Sequence, residues 1–428
     1  TRLYTKRAAT AFNIDVLAIS SGAVNTLYTG TMNVDLADGD TGCTAGSTAL
    51  TTAQAVTFAA ADRGRKTVSM TSPVAHRKAQ VRIQVGGSYA CSADKFAIRP
   101  TGLTITSNMN ANAAGTDAAA TPILGAGSNF ALFASGVAGY NGTPTVDTTK
   151  LAAHGTAVVN GTLAGAFSAG NAATGISSGN SFTYDEVGYF RFAPYGVIDT
   201  TFTAIDQPND CVNTDPGNVR ADYSNVADAS GKFGCKFANL ANTDFFGRFV
   251  PHHFDTTVTQ GCAAGAFNYS AQPFDLTVTA RNATGGSTLN YTGSFAKTAA
   301  LSEANGVVGG TLVPANIAAS SFASGVASLT RSDASPPTYT FTRATPDPAP
   351  ATIKPRATDT DGVSSASGTE GTALVRIGRL RLSNVYGSLS PLNMPVEAQY
   401  WTGNSWVRNG ADNCTTLATA HIYRSVAG

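Results

Sequence analysis

The sequence is poor in charged residues and has no long apolar run. Only 13% of its 428 residues are charged, which is about half the share in an average soluble domain. The 28 Lys+Arg nearly balance the 27 Asp+Glu, for a formal net charge of +1. Because such a chain lacks the cationic field that attracts phosphate groups, nucleic acid is not expected as a partner. No stretch approaches about 18 consecutive apolar residues, so no membrane-spanning helix is predicted.

Helical patterns are missing as well. Long helix-forming residues do not recur at a period near 3.6, and Gly (44 residues), Thr, Ser and Ala are abundant instead. Apolar and polar residues alternate over short segments, such as 12–18, 66–70 and 81–85, which are separated by Gly, Asn, Asp and Pro. A period of two at this spacing is typical of β-sandwiches. We therefore predict an all-β chain of tandem immunoglobulin-like sandwiches.

No CxxC pair is present, which excludes zinc ribbons and thioredoxin-like motifs. The six cysteines are widely spaced: Cys43, Cys91, Cys211, Cys235, Cys262 and Cys414. Six cysteines allow 15 pairings, and their order along the chain favours 43–91, 211–235 and 262–414, with buried free thiols as the alternative. Each disulfide would stabilise its domain by about 3–5 kcal/mol. Disulfides also indicate an oxidising compartment, that is, the periplasm, the cell surface or the medium.

An internal repeat divides the chain. A strand pattern that begins with Phe and ends with Ala is followed by Tyr-x-Gly in three places: 12–18 before Tyr28, 130–134 before Tyr140, and 274–280 before Tyr291. Three copies predict three units of one architecture, with boundaries at 1–100, 101–250 and 251–428. Each junction, at Pro100 and at Pro251, runs from one alternating segment into the next with little linker, so we expect a semi-rigid rod. Gly/Ala/Ser-rich insertions at 107–120, 155–181 and 332–371 are predicted to be loops.

Motifs that would indicate an enzyme lack their usual context. Residues 175–179 fit G-x-S-x-G around Ser177, and S-x-x-K begins at Ser92 and at Ser294. None of them stands between a buried strand and a helix, where a serine nucleophile is carried. No HExxH, Walker A loop or GxGxxG occurs. We predict that the chain is not an enzyme, with a hydrolase site built from insertion loops as the least favoured alternative.

Candidate metal ligands are few. The five histidines, His76, His154, His252, His253 and His421, are scattered, and His252 and His253 should point to opposite faces of a strand. Two acidic stretches in Gly-rich turns are weak Ca²⁺ candidates: Asp35, Asp38 and Asp40, and Asp359, Asp361 and Glu370. Neither has the full EF-hand spacing, and Asp in such turns usually bonds its own backbone. We therefore predict no cofactor, with Ca²⁺ as the alternative.

The only two tryptophans, Trp401 and Trp406, lie in one Tyr-Trp-x₄-Trp segment. Exposed aromatic rings of this kind stack on sugars. The alternative is a hairpin whose rings cover a small core.

The closing segment resembles the C-terminal region of MshQ-like proteins, which are encoded with the mannose-sensitive haemagglutinin (MSHA) type IV pilus of Gram-negative bacteria. The resemblance rests on the R-x-G-R-L-R-L-S-N-x-Y-G run at 376–387 and on Pro395–Trp401, and it extends upstream to 61–64, 96–100, 186–188 and 247–254. It implies a pilus-associated or surface-exposed protein and supplies no catalytic residues.

The function predicted from these features is that of a secreted or cell-surface structural or adhesive protein of an MSHA-like pilus or surface filament. Its expected partners are pilus subunits, other surface proteins and further copies of itself through edge-strand pairing. The alternative is a carbohydrate-binding module that uses Trp401 and Trp406 on host or surface glycans. Thr1 to Tyr4 do not form a signal peptide. If the protein is exported, we therefore expect this sequence to be a processed or excised piece of it.

Overall fold

A computed structural model describes residues 2–212, 221–387 and 393–418, and every regular element longer than three residues in them is a β-strand. The all-β prediction is confirmed. Short 3₁₀ turns connect some strands, at Ala60–Asp62, Thr148–Lys150, Pro208–Asp210, Ala221–Tyr223, Ala263–Gly265, Gly293–Phe295, Ala319–Ser321 and Ser365–Ser367. No segment in the described ranges forms a helix with the length and apolarity needed to cross a bilayer.

The first unit consists of a large sheet, a two-stranded sheet that packs with it and a small hairpin at 19–24. Its strands are β1 (Lys6–Arg7), β2 (Phe12–Leu17), β3 (Ile19–Ser20), β4 (Ala23–Val24), β5 (Gly30–Asp38), β6 (Gln54–Phe58), β7 (Arg65–Met70), β8 (His76–Val85), β9 (Ser88–Cys91) and β10 (Phe96–Arg99). The large sheet has the order β1-β10-β8-β5-β6, and β2 pairs with β7 in the other. Alternate residues of both sheets, including Val16, Val68, Leu36 and Ile98, pack into one core.

The second unit has an aromatic core between two sheets. Its strands are β11 (Thr104–Ser107), β12 (Asn110–Asn112), β13 (Leu124–Gly125), β14 (Asn129–Ser135), β15 (Thr145–Val146), β16 (Leu151–Ala153), β17 (Leu163–Ala164), β18 (Ile176–Tyr184), β19 (Gly188–Phe192), β20 (Val197–Asp199), β21 (Phe237–Ala238) and β22 (Phe245–Val250). The order β11-β14-β18-β17 faces β12-β22-β19-β16. Phe130, Phe182, Phe190 and Phe249 meet between them with ring centroids 5.3–6.2 Å apart in the contacting pairs.

The third unit is divided among several small sheets, and a separate sheet follows it. Its strands are β23 (His253–Thr259), β24 (Asn268–Tyr269), β25 (Asp275–Arg281), β26 (Ala299–Glu303), β27 (Gly310–Val313), β28 (Asn316–Ile317), β29 (Val326–Leu329), β30 (Thr338–Phe341), β31 (Ala351–Ile353), β32 (Pro355–Asp359) and β33 (Ala373–Arg376). What we call the terminal sheet has the order β34-β35-β36, formed by Gly378–Leu382, Val396–Trp401 and Trp406–Arg408.

One pairing pattern is repeated in all three units. A short strand near the start of each unit pairs in parallel with the last strand of that unit: β1 with β10, β13 with β22, and β24 with β33. The strand that follows then pairs antiparallel with a later one: β2 with β7, β14 with β18, and β25 with β29. This common topology accounts for the sequence repeat. The exact domain boundaries stay a prediction.

The Gly/Ala/Ser-rich insertions contain strands where loops were expected. β12, β17 and the start of β18 lie in the first two insertions, and β30, β31 and β32 lie in 332–371. In β18 the inward positions include Ser177 and Gly179 as well as Phe182. Because small residues occupy some inward positions, the sequence shows no regular apolar alternation there.

The three disulfides join Cys43 to Cys91, Cys211 to Cys235 and Cys262 to Cys414. This is the pairing that the order of the cysteines favours, and no described cysteine is free. The first two bridges lie within the first and second units. The third ties the start of the third unit to the residues after the terminal sheet.

Candidate functional site

The joint between the first and second units is built around a buried arginine. Arg99, the last residue of β10, is 0% exposed. Its guanidinium donates to the carbonyls of Gly234 (2.7 Å) and Ser224 (2.9 Å) and to Oδ1 of Asn225 (3.0 Å), all in the second unit's connection 200–236. No carboxylate of the described residues pairs with it, and burial, followed by the charge of Arg7, lowers the pKa of Arg99 to about 9. The last strand of one unit is therefore held inside the next.

The joint between the second and third units uses the same device. Arg248, in β22, is 2% exposed and donates to Asp361 from both terminal nitrogens, at 2.5 and 2.9 Å. Asp361 lies in the third unit's connection between β32 and β33. The Nε of Arg248 donates to the Ala120 carbonyl at 3.0 Å. A charge-assisted bidentate pair that is almost closed to water fixes both distance and orientation.

A buried carboxylate reinforces this second joint. Glu186 of the second unit is 5% exposed and accepts the backbone N–H groups of Leu289 (2.9 Å) and Asn290 (3.0 Å) of the third. Burial raises the pKa of Glu186. In return, Asn290 accepts the N–H groups of Val158 (2.7 Å) and Val159 (3.0 Å). Because the core of the third unit also includes Ala120, Val187, Tyr189, Phe245 and Val250 of the second, apolar packing crosses the joint too.

A third arginine connects the third unit to the terminal sheet. Arg376, the last residue of β33, donates to Oδ1 of Asn409 at 3.0 Å. Its guanidinium carbon lies 4.6 Å from the ring centroids of Phe267 and of Tyr400. Asn409 in turn donates to the Tyr269 hydroxyl at 2.7 Å. Each of the three last strands thus ends in or carries an arginine that contacts the following element.

The repeated tyrosine has a structural role in the second and third units. The Tyr140 hydroxyl donates to Asp199 at 2.7 Å, and the Tyr291 hydroxyl donates to Asp359 at 2.8 Å. Burial raises the pKa of both tyrosines and of Asp359. Tyr28 of the first unit packs edge-on against Phe58 instead, and it makes no hydrogen bond to a carboxylate in the described part of the chain.

The tryptophans lie on one face of the terminal sheet and are half-buried. Trp401 and Trp406 are directly paired across β35 and β36, with ring centroids 5.7 Å apart. The Trp401 indole N–H donates to the Asp347 carbonyl at 2.8 Å, and the Arg379 guanidinium lies 4.2 Å above the Trp406 ring. Both rings also pack against the core of the third unit. The two rings therefore cover part of the third unit's core, and their exposed parts are available to stack on a ligand.

The first group of Ca²⁺ candidates is held by side chains of its own unit. Asp35 is 5% exposed and forms a two-point pair with Arg82, at 2.9 and 2.6 Å. Asp38 accepts the backbone N–H of Asp40 at 2.9 Å, and the Asp40 carboxylate contacts Lys78.

The second group of Ca²⁺ candidates is bound by side chains at the second joint and within the third unit. Asp359 is bound by Tyr291, Asp361 is bound by Arg248, and Glu370 accepts from Arg356 at 2.7 and 3.0 Å. The hydrogen bonds from Arg356 lower the pKa of Glu370. Within residues 2–212, 221–387 and 393–418, one trio has metal-ligand spacing, Cys262, Asp412 and Cys414, and its two sulfurs form the third disulfide.

The serines of the enzyme-like motifs lie in strands and turns. Ser177 is fully buried in β18, where its hydroxyl donates to the Ser168 carbonyl. The Ser92 hydroxyl donates to the Asp94 carbonyl at 2.8 Å. Ser294 lies in a 3₁₀ turn, and Lys297, the lysine of its S-x-x-K motif, donates to the Ala118 carbonyl across the second joint at 2.6 Å.

The two adjacent histidines differ from the prediction. His252 lies just before β23 rather than within it, and the Nδ1 atoms of His252 and His253 are 3.0 Å apart. The prediction of opposite faces is wrong because alternation applies only inside a strand. His253 Nε2 lies 3.8 Å from the Asp255 carboxylate. His76 is in β8, His154 is buried against Phe295, with ring centroids 4.4 Å apart, and His421 lies outside the described residues.

The joint arginines were not recognised as functional residues from the sequence. A signal was present, because Arg99 and Arg376 end the last strand of their repeats and Arg248 lies two residues before the end of the corresponding strand. Their partners could not be found in this way, since Asp361 and Gly234 are 113 and 135 residues away.

Comparisons with known proteins show a family match for the C-terminal half and little else. No curated protein matches the chain. Among solved structures, dimeric latent PorU from Porphyromonas gingivalis is 8% identical with a TM-score of 0.17, over 87% of this chain and 32% of that one. Escherichia coli alpha-2-macroglobulin activated by porcine elastase is 12% identical with a TM-score of 0.17, over 94% of this chain and 36% of that one.

A glycan complex gives a similar result. SGBP-B of the Bacteroides ovatus mixed-linkage glucan utilization locus, in complex with a mixed-linkage heptasaccharide, is 11% identical with a TM-score of 0.16, over 90% of this chain and 69% of that one. The chain spans about a third of the first two solved proteins, and similarity at these scores carries no functional argument. The family models are more specific: residues 231–375 match the third domain of DUF6701, and residues 376–427 match its fourth domain.

Proposed function

We propose that this chain is part of an exported structural or adhesive protein of the cell surface, which holds its contact surfaces in a fixed arrangement. The observation that carries the proposal is the buried arginine at each joint, with Arg99 and Arg248 inserted into the following unit. In the described part of the chain no hydrogen bond joins the first unit to the third. Each unit forms hydrogen bonds only with the unit next to it, so the three units together act as a stiff spacer and not as a closed globule.

The disulfides support an oxidising location, because such bridges are rare in the cytosol. The resemblance to MshQ-like proteins supports an association with an MSHA-like type IV pilus of a Gram-negative bacterium. Its most specific run, 376–387, begins at the third joint arginine and continues through β34. The resemblance and the spacer geometry together support a role in protein–protein contact at the cell surface.

Two experiments test this function. Immuno-electron microscopy with an antibody raised against residues 231–427 should label surface appendages of the producing cell, and labelling confined to the cytoplasm would contradict the proposal. Small-angle X-ray scattering should give one sharp maximum dimension for the protein. Folded R99A and R248A variants should give a broader distribution, because the joints then bend.

Carbohydrate binding is the second candidate, and the paired, half-buried rings of Trp401 and Trp406 favour it. A glycan array should separate the two functions. Selective binding that is abolished in the Trp406→Ala variant would support the carbohydrate module, whereas no selective binding would favour the spacer alone.

A further inference from the structure

One edge of the terminal sheet is open. All five residues of β34, Gly378–Leu382, are exposed. The strand pairs with β35 on one side, and no backbone hydrogen bond reaches its other side from any residue that the structure describes. An unpaired edge of this kind is a template for a further strand. Its composition then decides which strand would fit.

The register divides the side chains of the sheet between two faces. Leu380 is opposite Ala398 and Leu382 is opposite Val396, so these four share an apolar face. On that face Leu380, Leu382 and Val396 are 48%, 62% and 43% exposed. Beside it lies a cavity of about 330 Å³, whose walls include Tyr269, Arg343, Gly378 and Leu380. A strand added next to β34 would place every second side chain on this face.

The other face is cationic along the same edge. Arg379 is opposite Gln399, and Arg381 is opposite Glu397. Arg379 donates to Oε1 of Gln399 at 3.0 and 2.8 Å, and neither Arg379 nor Arg381 forms an ion pair with a described residue. The Arg379 guanidinium is held on the β35 side, at Gln399 and over the Trp406 ring. The remaining side chains of an added strand would therefore stand beside Arg381, for which a carboxylate is the complementary ligand.

Pairing of β34 with β34 of a second copy does not fit this edge. An antiparallel register that overlaps by three or more of residues 378–382 and keeps the leucines on one face places Arg379 or Arg381 opposite an arginine of the other copy. Directly opposed like charges destabilise a sheet. The charge pattern therefore favours a different strand.

We propose that β34 is a strand-addition site for an extended segment of another polypeptide in which acidic and apolar side chains alternate. The apolar residues would cover Leu380 and Leu382, and an acidic residue would pair with Arg381. The proposal rests on the proposed function in protein–protein contact and names the chemistry of one partner. Main-chain hydrogen bonds to the edge would supply affinity, and the alternation would supply specificity.

The test uses the full chain and a fluorescein-labelled synthetic peptide of eight residues that alternates glutamate and valine. Binding of the peptide is measured by fluorescence anisotropy at physiological ionic strength. Two control peptides carry alternating lysine and valine, or four glutamates followed by four valines. The first peptide should bind at least tenfold more tightly than either control. Equal binding of the alternating and block glutamate peptides would overturn the proposal, because it would show general charge attraction. No binding of any peptide at millimolar concentration would overturn it as well.

Two variants locate the site. R381E should weaken binding by about tenfold, because it replaces an attraction with a repulsion. R408E, on the opposite edge strand β36, should change it by less than about threefold, since salt screens charges beyond about 8 Å. Hydrogen exchange of the amides at 378–382 should slow when the peptide binds, and unchanged exchange there would contradict strand addition even if anisotropy rises.

The outcomes separate this site from the function. Failure of peptide binding with surface labelling and stiff joints intact would refute the site alone. If a version that ends at Ala418 binds more than tenfold tighter, the protein's own C-terminal residues are the occupant and the assignment to a separate partner fails.

Discussion

Arg248 and Asp361 form a two-point ion pair across the joint between the second and third units, with side chains only 3% and 14% exposed. Removing the arginine leaves a carboxylate that is largely closed to water. We expect R248M to lower the free energy of unfolding by about 3–5 kcal/mol, as for other broken buried pairs. Urea denaturation followed by circular dichroism measures this loss.

The chain contains a matched control for this variant. Arg331 and Asp275 make a similar two-point pair, but their side chains are 40% and 32% exposed. R331M should cost about 1 kcal/mol or less because water solvates the remaining charge. Equal losses in R248M and R331M would contradict the special role of the joint pair.

The buried tyrosines predict a second difference between variants. Y140F and Y291F each remove the hydroxyl that donates to a buried aspartate, so each should cost about 1–3 kcal/mol. Y28F should change stability by about 0.5 kcal/mol or less, because Tyr28 contributes only its ring to the contact with Phe58. Thermal unfolding of the three variants provides the test. If Y28F is as destabilising as Y291F, the hydroxyl–carboxylate bond is not the cause.

Asp206 predicts a pH dependence at the first joint. Burial raises the pKa of Asp206 to about 7, and its Oδ2 accepts the Ala97 N–H of the first unit at 2.9 Å. A free aspartate has a pKa of about 3.9, so the folded state holds this proton more tightly than the unfolded state. The resulting destabilisation of the folded state is absent below about pH 4 and reaches its full size above about pH 7. Stability should therefore fall as the pH rises through this window.

The variant D206N keeps the shape and removes the charge. It should be more stable than the wild type at pH 8 by about 2–4 kcal/mol, with no gain at pH 4. Denaturant midpoints at several pH values measure both. A gain of equal size at pH 4 and pH 8 would mean that packing, and not titration, is responsible.

The disulfides predict a ranking by loop length. Cys262 and Cys414 are 152 residues apart, whereas Cys211 and Cys235 are 24 apart. In the chain-entropy model, removing these bridges costs about 5 and about 3.5 kcal/mol. Since Trp401 and Trp406 are the only tryptophans and both lie in the terminal sheet, tryptophan fluorescence reports on that sheet. The C262A/C414A variant should shift this transition to lower denaturant, and the C211A/C235A variant should leave it in place.

Much of the fold was predictable because it depends on short-range pattern. The alternation at 12–18, 66–70 and 81–85 predicted strands that the structure has as β2, β7 and β8, and the order of the cysteines gave their pairing. The strands within the Gly/Ala/Ser-rich insertions were missed, because residues such as Ser177 and Gly179 fill inward positions without an apolar signal.

The sequence predicted boundaries at Pro100 and Pro251, but it did not predict which residues hold the units together. The partners of Arg99 and Arg248 come from connections more than a hundred residues later. Only the folded backbone brings such groups together. The adjacent rings of His252 and His253 were missed for a local reason, since one of the two residues precedes the strand.

The parallel pairing of β1 with β10, of β13 with β22 and of β24 with β33 has a consequence for a protein that is pulled from its two ends. In parallel neighbours, tension applied at the start of one strand and the end of the other acts along the strands. The bonds between them are then loaded together in shear, whereas a hairpin opened at its tips would lose them one at a time. In the first unit β1 is the first strand and β10 the last, so this geometry places a force-bearing clamp between the two ends of that unit. In the other two units further strands, β11 and β12 or β23, precede the parallel pair.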